Sequence, residues 1–461
     1  MKSSRAEIHR RVHAIPEVSF DASRMTSFSG LVLFQHLFKR LELKSRLREA
    51  FGKEDRQRVF GLATVVMQLV VQVLLGFRRL RDVEYFESDP LILRVLGLKE
   101  LPSVSTLSRT LSSATPKCVG ALRDLVRDCV LERLGKLKLA TVTLDFDGSV
   151  LSTRRHAEGS AVGYNKKRKG ARSYYPLFCT VAQTGQFLDM YHRPGNVHDS
   201  RYSETFITDT VDQVRHALPQ TRLEARLDSA FFSEHTLALL QGLGTQYSVS
   251  VPFERFPSLK ARIERRTSGW QKIDDTHEFV ELSGWHPKSW GASKHHRFMA
   301  IRTTRPVRVN GPLQLDLFEP RDHEYEYKVF VTNKKVGGRA AMLFHNGRGN
   351  QEATFGEAKH WAALAYVPCR RLVANQIYTA SAMLAHNLGR ELQMATSEPR
   401  TSRATPRRSA IFEFATLGTI RDLFLRRAGS LTRPARALKL TIAATGAARH
   451  GIQRYIDRLA P

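Results

Sequence analysis

Acidic residues are scarce in this chain of 461 residues: 44 Asp and Glu stand against 72 Lys and Arg, a formal net charge of +28. A compact particle with that surplus repels itself unless a polyanion neutralises it. Nucleic acid is therefore the leading expected partner, and an anionic membrane surface the second. Cysteine is scarcer still. Cys118, Cys129, Cys179 and Cys369 lie far apart, with no CxxC pair and no histidine spacing suited to zinc. They read as reduced thiols of a cytosolic protein, neither a disulfide framework nor a zinc module. The N-terminal MKSSRAEIHRRVHAIPE has no apolar stretch long enough for a signal peptide. The one long hydrophobic run, FGLATVVMQLVVQVLLGF from Phe60 to Phe77, approaches spanning length but carries Thr64, Gln68 and Gln72. Amides at mid-bilayer are costly, so the run is expected to be a helix buried in a helical domain rather than a membrane span. No internal repeat is visible.

What is present is enough apolar residue, 42%, to bury cores for about two to four domains at this length. Helical periodicity dominates from about residue 25 to 140, in runs such as SGLVLFQHLFKRLELKSRLREAF and CVGALRDLVRDCVLERLGKL. Between them LPSVSTLSRTL places Ser105, Ser108 and Arg109 where they could face outward from a DNA-reading helix; a Ser cap on an ordinary helix gives the same pattern. The texture then changes. In LKLATVTLDFDGSVLSTRR, Val142, Leu144 and Phe146 alternate with Thr143, Asp145 and Asp147, a strand with one apolar and one polar face. YYPLFCTVAQTGQFLDMYHRPG adds two strands about a turn at Thr184-Gly185. Leu223, Ala225 and Leu227 alternate with charged residues before Asp228, after which helical spacing runs from Phe231 to Leu240.

These textures divide the chain into a helical N-terminal DNA-binding region (1–139), an α/β domain (140–243 and 337–395), a β-rich insertion (244–336), and a linker with a basic tail (396–461). From Arg400 the tail carries thirteen Lys or Arg against three Asp or Glu.

Cleavage of a phosphodiester by two metal ions requires carboxylates from separate elements to converge on one point. Mg²⁺ accepts hard oxygen ligands and keeps several waters, so a few Asp and Glu suffice. Asp147 closes the first strand of the α/β domain and Asp228 sits at a strand-to-helix junction, where the alternative is a plain helix cap. The third candidate lies in HNGRGNQEATFGEAKH. Asn350 can cap a helix from Gln351, and Glu352 and Lys359, seven apart, fall on one helical face. Arg348 joins that stripe only if the helix starts early, against which stand Gly347 and Gly349.

Taken together, these motifs resemble the DDE transposases of bacterial insertion sequences, in the sub-group with a β-rich insertion. There the third acid sits in a Tyr-x2-Arg-x3-Glu-x6-Lys signature, matched here by Arg348, Glu352 and Lys359, with His345 in place of the Tyr. LDFDGS, RLDSAFF and RPGNVHDS match further motifs, and the similarity runs from about Met25 to the C-terminus. The resemblance implies an α/β, ribonuclease H-like catalytic domain preceded by the helical DNA-binding domain. It implies catalytic Asp147, Asp228 and Glu352 holding two Mg²⁺ or Mn²⁺ ions, with Asp145 in reserve as first ligand because it shares a strand face with Asp147. Arg348 and Lys359 would hold the phosphate backbone. The implied partners are double-stranded DNA, as terminal inverted repeats and target, and a second copy in a homodimeric complex; the implied place is the nucleoid in a bacterial cytoplasm, with no membrane.

DFDGS also resembles the motif of haloacid dehalogenase-like phosphatases, which would make Asp145 a nucleophile, and a DNA-binding protein that has lost catalysis would keep the same charge pattern. In GYNKKRKGARSYYP, the basic Lys166, Lys167, Arg168 and Lys169 interleave with tyrosines, suiting a DNA backbone track or a solvated hairpin. Trp285 and Trp290 are candidates to grip an unpaired base, against an ordinary role in packing the insertion.

Overall fold

The computed structural model describes residues 15–20, 22–56, 58–153, 156–163, 165, 168–197, 202–290, 296–306, 323–400 and 410–460. After a two-residue strand β1 (Met25–Thr26) come six helices: α1 (Val32–Arg40), α2 (Leu43–Arg56), α3 (Leu62–Leu75), α4 (Pro90–Leu96), α5 (Val104–Ser112) and α6 (Pro116–Leu137). Their starts follow the sequence locally: the side chains of Asp89, Ser103 and Thr115 accept backbone N–H bonds at the first turns of α4, α5 and α6. The hydrophobic run is α3, with every one of its fourteen residues except Thr64 buried. Gln72 donates to the Arg79 carbonyl, so its amide serves an interior. Among the described residues no helix is long and apolar enough to cross a membrane.

The α/β part opens with β2 (Thr141–Gly148), followed by three short strands, β3 (Leu151–Ser152), β4 (Ala161–Val162) and β5 (Arg172–Tyr174), which form a small sheet of their own. Then come β6 (Leu177–Val181), β7 (Gln186–Tyr191), α7 (Ser203–Ala217), β8 (Arg222–Leu227), α8 (Glu234–Gly242) and β9 (Gln246–Ser250). Strands β2, β8 and β9 are parallel, and β6 and β7 continue the sheet antiparallel on the other side of β2. This is a mixed α/β architecture with a large sheet, consistent with the ribonuclease H-like fold that the resemblance implies.

Helix α9 (Pro257–Glu264) and strands β10 (Gln271–Lys272), β11 (His277–Glu281), β12 (Arg297–Pro306) and β13 (His323–Thr332) follow. They extend the same sheet, because β13 pairs antiparallel with β9 and the order is β10-β11-β12-β13-β9-β8-β2-β6-β7. Gln246–Ser250, placed by sequence at the start of the insertion, is the parallel neighbour of β8 and belongs to the central strands.

The chain returns through α10 (Gly338–Asn346), α11 (Gly349–Trp361) and the buried α12 (Leu372–Met394). Helices α3 and α6 pack along α12, so the N-terminal helices and the back of the α/β domain share one apolar core. The segment read from sequence as a basic tail folds where it is described. Helix α13 (Leu417–Ile420) runs into a π turn, β14 (Gly429–Thr432) and β15 (Lys439–Ile442) form a hairpin, and α14 (Gly446–Leu459) packs on α1. β14 also pairs with β1. The buried Arg421 donates to the carbonyls of Val73, Leu74 and Trp361. It thereby adds donors at the carbonyl end of α3, where helical N–H partners run out. The expected linker lies partly at 401–409, outside the described residues.

Candidate active site

Strands β2 and β8 are parallel neighbours in register, Asp145 beside Arg226 and Phe146 beside Leu227. One step further, Asp147 and Asp228 emerge at the same carboxyl-terminal edge of the sheet, where open α/β folds place their ligands. Asp228 also caps: its carboxylate accepts from Ser229 N at 2.6 Å, starting a single 3-10 turn, Ser229–Phe231. Helix α8 starts only at Glu234, capped by Ser233.

Helix α11 begins at Gly349, earlier than the Asn350 cap predicts, with Asn350 inside its first turn. Gly347 and Arg348 both adopt right-handed helical dihedrals, with φ −58° at each, so α10 leads into α11 with little interruption. Arg348 therefore stands one turn before Glu352, and Lys359 lies two turns after it.

The three acids, distant in sequence, meet on one guanidinium. Arg348 lies 3.5 Å from Asp147 Oδ2, 3.8 Å from Asp228 Oδ1 and 3.3 Å from Glu352 Oε1. Asp145 is not part of this group. It is 1% exposed and paired in a bidentate fork with the fully buried Arg226, Nε to Oδ1 at 2.5 Å and Nη2 to Oδ2 at 2.7 Å. Burial pushes the Asp145 carboxyl up, while Arg226 and then Arg348 pull it down.

A cleft of about 430 Å³ opens beside the cluster, lined by Ser229, Ser250, Phe253, Lys328, His345 and Glu352 among others. His345 is buried, stacks on Phe330 at 4.5 Å between centroids, and meets Ser248 Oγ at 2.6 Å and Ser250 Oγ at 3.3 Å. Burial lowers its pKa to about 3, with Arg348 and Arg226 adding to the effect, so the ring is neutral.

Among the described residues no three His, Cys, Asp or Glu side chains close tightly enough on one point to hold a metal ion. The Arg348 guanidinium stands between the carboxylates instead. The donor set nevertheless fits a divalent cation, since it is all hard oxygen and sets three negative charges against one positive. The family model for transposase DDE domain group 1 matches residues 10–461. The chain belongs to this DDE transposase family. No curated protein matches it significantly. One solved structure of similar course is the piggyBac transposase in a synaptic complex with hairpin DNA. It is 10% identical, with 78% of this chain and 75% of that chain covered and a TM-score of 0.39.

The other candidates are spread over the transposase. Arg109 is exposed on α5, its Nε 3.4 Å from the Ser105 carbonyl within the same helix. Arg168 and Lys169 are exposed between β4 and β5, while Lys166 and Lys167 lie outside the described residues. Trp285 packs edge-on to Phe298 at 4.8 Å and Trp290 lies 4.8 Å from Phe232, both rings on the core of the sheet. Sequence reading missed Arg226 and Gln351, whose Nε2 donates to the Asp145 carbonyl at 2.7 Å. The one local signal was Arg226 itself, a cation on the polar face of a strand two residues before Asp228.

Proposed function

We propose that this DDE transposase cuts and rejoins DNA at the terminal inverted repeats of a bacterial insertion sequence by a metal-dependent, cut-and-paste route, working as a dimer on paired ends in the cytoplasm. The observation that carries the reading is the convergence of Asp147, Asp228 and Glu352, from three separate elements, on one edge of the sheet. In this reading their carboxylates hold two Mg²⁺ or Mn²⁺ ions. Bound there, such ions activate the attacking oxygen and stabilise the leaving one. Arg348, once free of the carboxylates, offers a planar fork to phosphate oxygens, and Lys359 adds a point charge further along the same helix. The N-terminal helices, with Arg109, and the basic loop around Arg168 and Lys169 bind the flanking duplex through its phosphates, consistent with the +28 charge.

A phosphatase built on Asp145 is disfavoured, because a nucleophile must reach its substrate and both oxygens of Asp145 are buried against Arg226. A copy that binds DNA without cutting is the second reading, favoured by His345 at the position of the signature Tyr. Replacing Asp228 by Ala separates the two. Abolition of Mg²⁺-dependent strand cleavage with DNA binding retained supports the transposase reading; wild-type protein that binds but never cleaves supports the second; cleavage by the Ala variant refutes the assigned site.

A further inference from the structure

The polar residues of the central strands lie on one face by the two-residue period: Thr143, Asp145 and Asp147 on β2, Glu224 and Arg226 on β8, with Asp228 just past its end. Helices usually cover a sheet through apolar contact. Further along, α11 does so, with Phe355 set edge-on to Phe178 and Phe187. The joint between α10 and α11 is seated differently. Arg226 Nη1 donates to the Phe344 carbonyl, in the last turn of α10, at 3.1 Å. Gln351 donates to the Asp145 carbonyl, and His345 meets the two serines of β9.

One side chain thus touches all three elements of the site. Arg226 lies two residues before Asp228 on β8, its fork holds Asp145, two residues before Asp147 on β2, and its remaining arm holds the helix joint that leads to Arg348 and Glu352. We propose that Arg226 and Asp145 form a positioning pair that fixes the Glu352 helix relative to the strand ends bearing Asp147 and Asp228. Apolar packing is non-directional and permits sliding, whereas a bidentate guanidinium–carboxylate pair sets distance and angle together. The inference rests on the proposed function, and it gives Asp145 a role other than metal ligand: both its oxygens are committed to Arg226.

The test replaces both partners by apolar residues, Asp145→Leu with Arg226→Met, a change that buried ion pairs often tolerate without loss of stability. The readouts are the melting midpoint, KM and kcat for cleavage of a repeat-end duplex, and Mn²⁺ affinity by electron paramagnetic resonance. The expected result is a cooperatively melting protein with unchanged KM for DNA, kcat down roughly a hundredfold, as a displacement near 1 Å produces, and Mn²⁺ bound more weakly. Wild-type kcat and Mn²⁺ affinity in the double variant overturn the pair. If that variant does not fold, Arg226→Lys decides, since it keeps the charge without the fork: lowered kcat at constant KM supports the proposal and wild-type kcat refutes it. Wild-type protein that neither cleaves nor binds Mn²⁺ sinks the proposed function and this pair with it.

Discussion

The central strands have two buried faces made of opposite materials. On one, Val142, Leu144 and Phe146 of β2 and Leu223, Ala225 and Leu227 of β8 meet apolar residues of α6, α7 and α8. On the other, the intervening residues of the same strands are Thr, Asp, Glu and Arg, closed by ion pairs and hydrogen bonds. The apolar face supplies stability through area removed from water, with little demand on angle. The polar face adds less net stability per contact, because desolvation offsets the attraction, but it defines where the acids stand. Damage to the two faces should therefore have different consequences, and that difference can be broken or sharpened by substitution.

The largest effect belongs to the acids. Glu352→Gln should lower cleavage by about a thousandfold or more, in the range seen when a group stabilising transition-state charge is lost, with the melting midpoint nearly unchanged. A parallel loss of stability would place Glu352 among structural residues. Next is Leu144→Ala on the opposite face, expected to cost about 3 kcal/mol of stability through the cavity it leaves, with cleavage per folded molecule retained. Urea unfolding alongside single-turnover kinetics measures both, and loss of cleavage without loss of stability would erase the contrast between faces.

Acid should weaken the fold through buried histidines. Burial lowers His192, His345 and His386 to about 3 each, below the ordinary value of about 6.5. The folded rings stay neutral while the unfolded ones take up protons, so this stability is intact above about pH 6.5 and is lost as pH falls toward 3. Each ring contributes up to about 1.4 kcal/mol per pH unit. Melting between pH 7 and 5 should show the decline, and His345→Gln should flatten it by about a third; a midpoint constant over that range would contradict the neutral assignments. The smallest effect is at the surface. Lys169→Ala should reduce the salt dependence of DNA binding by about one phosphate contact and leave cleavage of bound DNA alone, whereas an unaltered salt slope would remove Lys169 from the DNA track.

Much of this contrast is legible in the sequence because it is local. The alternation in TVTLDFD and RLEARLD displays both faces before any partner is known, and the interval from Arg348 to Glu352 survives although the helix starts earlier than Asn350 implied. Pairing across long stretches of chain is not legible. Asp145 and Asp147 share a face, and only Arg226, 81 residues away, separates the buried partner from the acid at the edge. Continuation of the sheet through β13 depends on contacts with β9, where Thr332 meets Tyr247, 85 residues earlier. The C-terminal hairpin is read as a tail because its four-residue strands carry little pattern and its partner, Met25–Thr26, lies at the other end of the chain.

Whether Asp147, Asp228 and Glu352 together hold divalent cations is tested most directly by titrating Mn²⁺ into the protein without DNA and counting bound ions by paramagnetic resonance. Two ions per chain in the wild type, and none in a variant carrying both Asp147→Asn and Asp228→Asn, is the expected result. Equal binding by the two proteins would contradict it.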